Sequence, residues 1–275
     1  MLSNSHPLAD VPPEPGVTKP DPILIANGLQ RFFGGLHAVD VDRLEVQRGT
    51  ITSLIGPNGA GKTTLFNLLT GFDKPDHGDW HLNGGPLVGI PSFRIARHGM
   101  VRTFQLTKSL SRLTVLENMM VATKDHVGES LWGALFGRWR HIEAENEKLA
   151  LASLKRFGLD PVKDDYAGSL SGGQRKLLEM ARALMVAPEV IMLDEPMAGV
   201  NPALTQSLLH HITGLRDDGK TVVFIEHDMD VVQEISDWVV VMAQGKVIAE
   251  GPPAHIASNR DVIDAYLGRH HGEVP

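Results

Sequence analysis

The residues best suited to chemistry lie in a glycine-rich stretch that reads Gly-Pro-Asn-Gly-Ala-Gly-Lys-Thr-Thr over residues 56–64. Glycine permits positive φ angles, so this spacing lets successive backbone N–H groups turn inward and form an anion nest at the start of a helix. Lys62 adds a positive charge for the β- and γ-phosphates of a nucleotide, and the Thr63 hydroxyl is a ligand for Mg²⁺. A simple glycine-rich turn is the alternative interpretation, and it leaves the Lys-Thr pair unexplained. The predicted nucleotide-binding residues of this stretch are Gly56, Asn58, Gly59, Ala60, Gly61, Lys62, Thr63 and Thr64.

The segments on either side have the pattern that a phosphate-binding loop requires. Ile51–Ile55 is an apolar run of strand length, and the residues after Lys62 place Leu65, Leu68 and Leu69 at helical spacing. The sequence therefore predicts a strand, a phosphate loop and a helix in that order, and with them a nucleotide-binding site.

Two carboxylates follow a second apolar run, Val190–Leu193. Ligands of open parallel sheets bind at the carboxyl ends of the strands. Asp194 is therefore placed to hold Mg²⁺ through water, and Glu195 is a candidate base that takes a proton from attacking water. The alternative, a pair of solvated acids at a strand end, accounts less well for their occurrence beside a phosphate loop.

Three more side chains are candidates for the same site. His227 follows the apolar run Thr221–Ile225 and can sense or stabilise a γ-phosphate, although a lone histidine is more often structural. Gln105 lies just past a short predicted strand and can orient water or ligate Mg²⁺. Phe33, or its neighbour Phe32, can stack on adenine.

Residues 170–174, Leu-Ser-Gly-Gly-Gln, have two interpretations. Ser171 and Gln174 form a capping box ahead of a helix, which by itself carries no function. The paired glycines between them cost backbone entropy that a cap does not need, and they leave N–H groups bare for a second phosphate. The next helix spans about 20 Å at about 1.5 Å per residue, so Ser171 should not reach Lys62 of its own chain. We therefore expect a second copy of the chain to supply Ser171, Gly172, Gly173 and Gln174 to the nucleotide.

Apolar runs that alternate with helical segments predict how these residues are positioned. The runs Val190–Leu193, Thr221–Ile225 and Trp238–Met242 are joined by helical patterns, which indicates a parallel sheet. Together with Ile51–Ile55 they predict an α/β fold, a P-loop NTPase core with a mostly parallel sheet.

Two regions depart from this alternation. Strand patterns at about 23–33 and 38–46 predict an antiparallel β layer beside the loop, and a one-residue slip in the second predicts a bulge between Val41 and Leu44. Helical patterns without strands predict an inserted all-helical subdomain at about 106–170, with Ala150, Leu154 and Phe157 on one helix face.

Composition limits the remaining possibilities. Residues 1–21 are polar and proline-rich, which predicts a disordered arm, and 269–275 read as a polar tail, leaving 22–268 as the nucleotide-binding domain. A formal net charge of −7 argues against a nucleic-acid partner. The 0 cysteines exclude disulfides and thiolate metal sites, and no stretch has the length and apolarity of a membrane span.

Taken together, residues 22–268 resemble the ATP-binding subunits of ABC transporters. The loop at 56–63 matches the Walker A motif, Gln105 the Q-loop and 170–174 the ABC signature, while Val190–Glu195 matches Walker B and His227 the switch histidine. The resemblance implies an ATP hydrolase whose cofactors are ATP and Mg²⁺.

A finer resemblance is to the LivG type, the ATPases of branched-chain amino acid importers. It rests on Phe-Gly-Gly-Leu at 33–36, on 193–202 and on the stretches 245–251 and 265–268; Asn201 stands where the general family has Asp. This implies a second ATP-binding subunit in a homo- or heterodimer, transmembrane permease subunits and, indirectly, a periplasmic binding protein. It also implies a cytoplasmic location, peripheral on the inner face of the membrane. The ATPase of a lipid or lipopolysaccharide exporter and a soluble non-transport ABC ATPase are the alternatives.

Overall fold

Two β-sheets organise the fold in the computed structural model, which describes residues 6–103, 110–123 and 139–267. The strands of the first sheet are β1 (Pro22–Phe33), β2 (Leu36–Gln47), β4 (His77–Leu82) and β5 (Gly85–Pro86). They pair antiparallel in the order β2-β1-β4-β5. This sheet confirms the predicted antiparallel layer.

The second sheet forms the centre of the molecule. Its strands are β3 (Ile51–Ile55), β6 (Met100–Arg102), β7 (Val190–Asp194), β8 (Thr221–Ile225), β9 (Trp238–Ala243) and β10 (Lys246–Gly251). In the order β10-β9-β3-β8-β7-β6 the neighbours are parallel, except that β10 runs antiparallel to β9. The predicted mostly parallel sheet is confirmed.

Helices connect these strands and cover the central sheet. They are α1 (Lys62–Leu69), α2 (Ser92–Arg97), α3 (Val115–Val121), α4 (Trp139–Arg156), α5 (Gly172–Leu184), α6 (Pro202–Asp217), α7 (Met229–Ile235), α8 (Pro253–Ala257) and α9 (Arg260–Leu267). Across the described ranges, none of the helices combines the length and apolarity needed to cross a bilayer.

Apolar side chains on both faces explain why the central sheet lies inside. In β7, Ile191 and Leu193 join the core cluster formed with α5, α6 and α7, whereas Val190 and Met192 join the cluster formed with α1 and the antiparallel sheet. A strand buried on both faces has a continuous apolar sequence. Only its ends are open to polar chemistry.

The predicted helical region contains α3 and α4 in its described part. Val115 and Met119 of α3 share a core cluster with Ala150 and Leu154 of α4, and all four are fully buried. Phe157, the residue after the end of α4, is also buried, as the predicted apolar face requires. The boundaries of the subdomain at 106 and 170 stay a prediction.

Residues 6–21 contradict one expectation, because they lie against the central sheet. Leu8 is buried, and Lys19 Nζ is 2.9 Å from Glu250 Oε2, with neither side chain exposed. His6 Nε2 lies 3.1 Å from Asp237 Oδ1. The prediction of a disordered arm is wrong here. Although the segment is polar and proline-rich, Leu8 is buried and Lys19 contacts the buried carboxylates of Glu45 and Glu250. Residues 1–5 and the tail at 269–275 lie outside the described residues.

The same arm explains the slip in the apolar pattern of β2. Pairing with β1 keeps its register from Val41 to Leu44, so the predicted bulge is wrong. The end of β2 is instead buried on both faces, since the backbone N–H of Lys19 donates to Glu45 Oε2 at 2.6 Å. Cover by the arm, and not a bulge, changes the alternation.

Candidate functional site

The phosphate loop leaves the carboxyl end of β3 and is packed between two other segments. A Cβ on Gly56 would lie 2.1 Å from the carbonyl oxygen of Met242, and one on Gly61 would lie 2.3 Å from that of Ala38. Both glycines have positive φ. A Cβ on Gly59 would meet nothing within 4 Å. Packing therefore requires Gly56 and Gly61, whereas Gly59 lies at the open mouth of the loop.

Lys62 folds back over this loop. Its Nζ donates to the carbonyl oxygens of Gly56 at 2.6 Å and Pro57 at 3.0 Å, and the residue is only 8% exposed. Burial lowers the pKa of Lys62, against the opposing charges of Glu195 and Asp194. Carbonyl oxygens carry no net charge, so this ammonium keeps its charge for a phosphate.

The other loop residues divide between mouth and interior. Asn58 and Thr63 are exposed, and Thr64 is half-buried. Ala60 is buried, and its carbonyl oxygen accepts from the N–H of Gly245 at 3.0 Å. The hydroxyl predicted to ligate a metal, that of Thr63, is therefore on an accessible residue one position after Lys62.

Asp194 ends β7 and is held by an arginine from the neighbouring strand. Arg102 Nη2 lies 2.5 Å from Asp194 Oδ2, and Arg102 Nη1 donates to Asn67 Oδ1 at 2.6 Å. The side chains of Arg102 and Asp194 are 6% and 12% exposed. Carboxylate and hydroxyl oxygens are the hard donors that Mg²⁺ prefers, so Asp194 and Thr63 fit the predicted metal.

Glu195 has a strained backbone. Its φ is +46°, a conformation that is costly for a residue with a Cβ. Its N–H donates to the carbonyl oxygen of Ile225 at 3.2 Å, and the carbonyl oxygen of Glu195 accepts from Lys176 Nζ at 3.4 Å. These contacts hold the predicted catalytic base at the carboxyl edge of the sheet, where strain is most often functional.

Glu226 joins the end of β8 to the segment after β7. It is 1% exposed and accepts from the N–H groups of Met197 at 3.2 Å and His227 at 3.1 Å. Burial raises the pKa of Glu226 above its usual value, and these hydrogen bonds offset only part of that rise. The His227 side chain is 66% exposed, with Nδ1 3.7 Å from Glu226 Oε2. The predicted histidine is therefore accessible and sits on a buried carboxyl group.

The capping box predicted at the start of α5 is present. Ser171 Oγ accepts from the N–H of Gln174 at 3.2 Å, and Gln174 Oε1 accepts from the N–H of Ser171 at 3.0 Å. A Cβ on Gly173 would lie 1.4 Å from Leu204 Cδ2 of α6, whereas one on Gly172 would meet nothing within 4 Å. Packing within the chain thus explains Gly173 but not Gly172.

The hairpin between β1 and β2 places both candidate aromatic residues. Phe32 stacks on His37 with ring centroids 4.1 Å apart. Phe33 is 48% exposed, and the Arg31 guanidinium lies 4.6 Å from its ring centroid. Since Phe33 keeps the larger exposed fraction, it is the better candidate for a stacking contact.

One predicted residue and three unpredicted ones complete the description. Gln105 lies outside the described residues, so its role stays a prediction. Arg102 was missed although it is the one charged residue of β6, and Glu226 although it precedes His227. Tyr266 of α9 has no local signal: its hydroxyl meets the backbone of Gly56, and burial raises its pKa.

Comparison with family profiles matches two parts of the chain. The family described as "ABC transporter" matches residues 39–198. The family described as "Branched-chain amino acid ATP-binding cassette transporter" matches residues 246–272.

Similar proteins cover nearly the whole chain. A probable branched-chain amino acid transport ATP-binding protein LivG of Archaeoglobus fulgidus is 41% identical over 252 residues, which are 92% of this chain and 98% of that protein. The high-affinity branched-chain amino acid transport ATP-binding protein LivG of Escherichia coli is 45% identical over 250 residues, 90% and 98% of the two chains.

Solved structures agree with the sequence comparison. A nucleotide-free ATP-binding cassette from an ABC transporter superposes with a TM-score of 0.79 at 36% identity, covering 92% of this chain and 100% of that chain. A dimeric cassette bound to ADP and Pi, described as a post-hydrolysis state, gives a TM-score of 0.69 at 25% identity and covers 84% and 98%.

Proposed function

We infer the function from one premise: this chain belongs to the ABC transporter family of ATP-binding proteins. We propose that it hydrolyses ATP to power uptake of branched-chain or related amino acids through a partner permease. The observation that carries the ATPase assignment is the buried Lys62, bonded to loop carbonyls and facing the charges of Asp194 and Glu195. The relatives' names, together with the match over 246–272, support the amino acid substrate.

Each side chain at the edge of the sheet then has a role. Lys62 and the loop N–H groups bind the β- and γ-phosphates, and Phe33 stacks on adenine. Thr63 and Asp194 would hold Mg²⁺, which when bound offsets the negative charge of the phosphates. Gln105 would contribute to the same site. Glu195 takes the proton of the attacking water, while His227 contacts the γ-phosphate.

A second copy of the chain completes the site. Ser171 and Gly172 are exposed, and within the described part of the chain packing against Leu204 explains the glycine at 173 but not the one at 172. Two chains in head-to-tail arrangement would place these N–H groups on the partner's γ-phosphate. Contacts made only while the γ-phosphate is present favour the closed pair, so hydrolysis reopens it.

A cleft of about 370 Å³ offers a surface for the permease. It lies between α2, β6 and α5, and its lining includes Phe72 and Phe93, which are 51% and 59% exposed. Exposed aromatic side chains around a groove are typical of a protein interface. A permease bound there would hold the chain at the inner face of the membrane. A periplasmic binding protein would then be an indirect partner, on the other side of the permease.

Isolation of the native complex tests this proposal. The tagged chain is purified from detergent-solubilised membranes and its partners are identified by mass spectrometry, with the double variant Phe72→Asp and Phe93→Asp as the control. We expect a multispan permease to co-purify with the parent protein and not with the variant. A lipid-exporter permease would contradict amino acid uptake, and recovery without any membrane partner would contradict transport.

A further inference from the structure

A guanidinium group occupies the region where the proposed magnesium site lies. Arg102 bridges two elements, since Nη2 contacts Asp194 Oδ2 of β7 at 2.5 Å and Nη1 contacts Asn67 Oδ1 of α1 at 2.6 Å. Its Cζ is 5.7 Å from the ring centroid of Phe66. Arg102 therefore touches both the helix of the phosphate loop and the carboxylate that would hold the metal.

The charge on Arg102 is permanent. An arginine side chain does not lose its proton in a protein, and this one is 6% exposed, so water screens it little. A charge-assisted hydrogen bond to a carboxylate is among the strongest that a protein forms. One oxygen of Asp194 is therefore already committed to a cation.

A divalent cation and Arg102 make opposing demands on the same carboxylate. A metal-bound water must use the other oxygen of Asp194 or displace the guanidinium, and in either case two positive groups lie close together in a poorly solvated place. Like charges in such a setting disfavour each other.

We propose that Arg102 is a positioning residue that competes with the divalent cation for Asp194 and so weakens metal binding at the nucleotide site. This rests on the proposed function, because it needs a nucleotide whose metal Asp194 holds. Arg102 fixes Asp194 beside α1 and, by its charge, keeps the affinity for the metal low.

Manganese titration followed by electron paramagnetic resonance tests the proposal, with Mn²⁺ as the probe at saturating ADP. Arg102→Met should bind Mn²⁺ about 10-fold more tightly than the parent, whereas Arg102→Lys, which keeps the charge, should stay near the parent value. Arg182→Met is the matched control, since Arg182 is a second arginine of the cleft that Arg102 lines, and its charge lies beside Glu179. It should leave the Mn²⁺ affinity unchanged.

Unchanged or weaker Mn²⁺ binding in Arg102→Met would overturn the proposal. Circular dichroism and ADP affinity in EDTA show for each variant whether the fold and the nucleotide site persist. If Arg102→Met fails to fold, the comparison of Arg102→Lys with Arg102→Gln decides in the same way. If the parent itself binds no ADP in EDTA or in Mn²⁺, the proposed function is contradicted and this inference falls with it.

Discussion

Two buried lysines lie at opposite ends of the central sheet. One is paired with a carboxylate and the other with backbone carbonyl oxygens. Lys62 follows the carboxyl end of β3 and contacts backbone carbonyls. Lys19 lies near the amino end of β9, where Nζ is 2.9 Å from Glu250 Oε2 and 4.2 Å from the centroid of the Trp238 ring. Burial lowers the pKa of both lysines.

The partners decide what each lysine does. At Lys19 a carboxylate neutralises the ammonium, and Glu250 also accepts from Trp238 Nε1 at 2.8 Å and from the N–H of Val17 at 3.1 Å. This network joins the arm to β9 and β10. At Lys62 the partners are neutral, so a charge remains that an anionic ligand can neutralise. We therefore expect Lys19, which is paired with a carboxylate, to stabilise the fold, and we expect Lys62, which is bonded to carbonyl oxygens, to bind the proposed phosphate.

The largest expected effect tests the structural half of this comparison. Lys19→Met removes one partner of a buried ion pair and leaves Glu250 charged and buried, which should cost about 3–5 kcal/mol of unfolding free energy. Urea unfolding followed by circular dichroism measures it. ATPase activity per folded molecule should not change. A loss below about 1 kcal/mol would show that the arm contributes little.

The complementary variant tests the functional half. Lys62→Ala removes a preorganised, charged hydrogen-bond donor from the proposed phosphate site. The loss of one such donor typically lowers the rate by about 10²–10³-fold. Steady-state phosphate release measures the rate. Stability should be kept, because among the described residues Lys62 Nζ is bonded to the carbonyl oxygens of Gly56 and Pro57, so the variant breaks no ion pair there. Near-normal ATPase activity would refute the role assigned to Lys62.

The adjacent glycines of α5 give a smaller effect that separates packing from binding. Gly173→Ala forces Leu204 to move and should cost about 1–3 kcal/mol of stability. Gly172→Ala meets open space, so its stability should stay within about 0.5 kcal/mol of the parent. We expect it to weaken ATP-dependent dimer formation, measured by light scattering. Equal stability losses in both variants would contradict the distinction.

The smallest effect is a pH dependence. The pKa of Lys19 is lowered from 10.5 in the folded protein, so between that lowered value and 10.5 the unfolded chain binds more protons than the folded one. The stability of the parent relative to Lys19→Met should therefore rise with pH across this window and level off above it. Urea unfolding of both proteins from neutral pH upward measures this, and a stability gap that narrows would contradict it.

These differences show which features a sequence reveals. β3, β8 and α7 have the predicted bounds because their apolar runs are buried on both faces or follow one clear period. The loop and the two carboxylates were found because local spacing encodes their geometry. The arm was predicted wrongly, since its order depends on Glu45 and Glu250, which are distant in sequence. Arg102 was missed for the same reason, because its partner Asp194 comes from another strand.

The central claim is that two identical chains enclose ATP between the phosphate loop of one and Ser171 and Gly172 of the other. Glu195→Gln should bind ATP, stall hydrolysis and accumulate the closed pair. Size-exclusion chromatography with light scattering, run with ATP and Mg²⁺, measures this directly. We predict a dimer with ATP that disappears when ADP replaces ATP. A variant that binds ATP but stays monomeric with both nucleotides would contradict the claim.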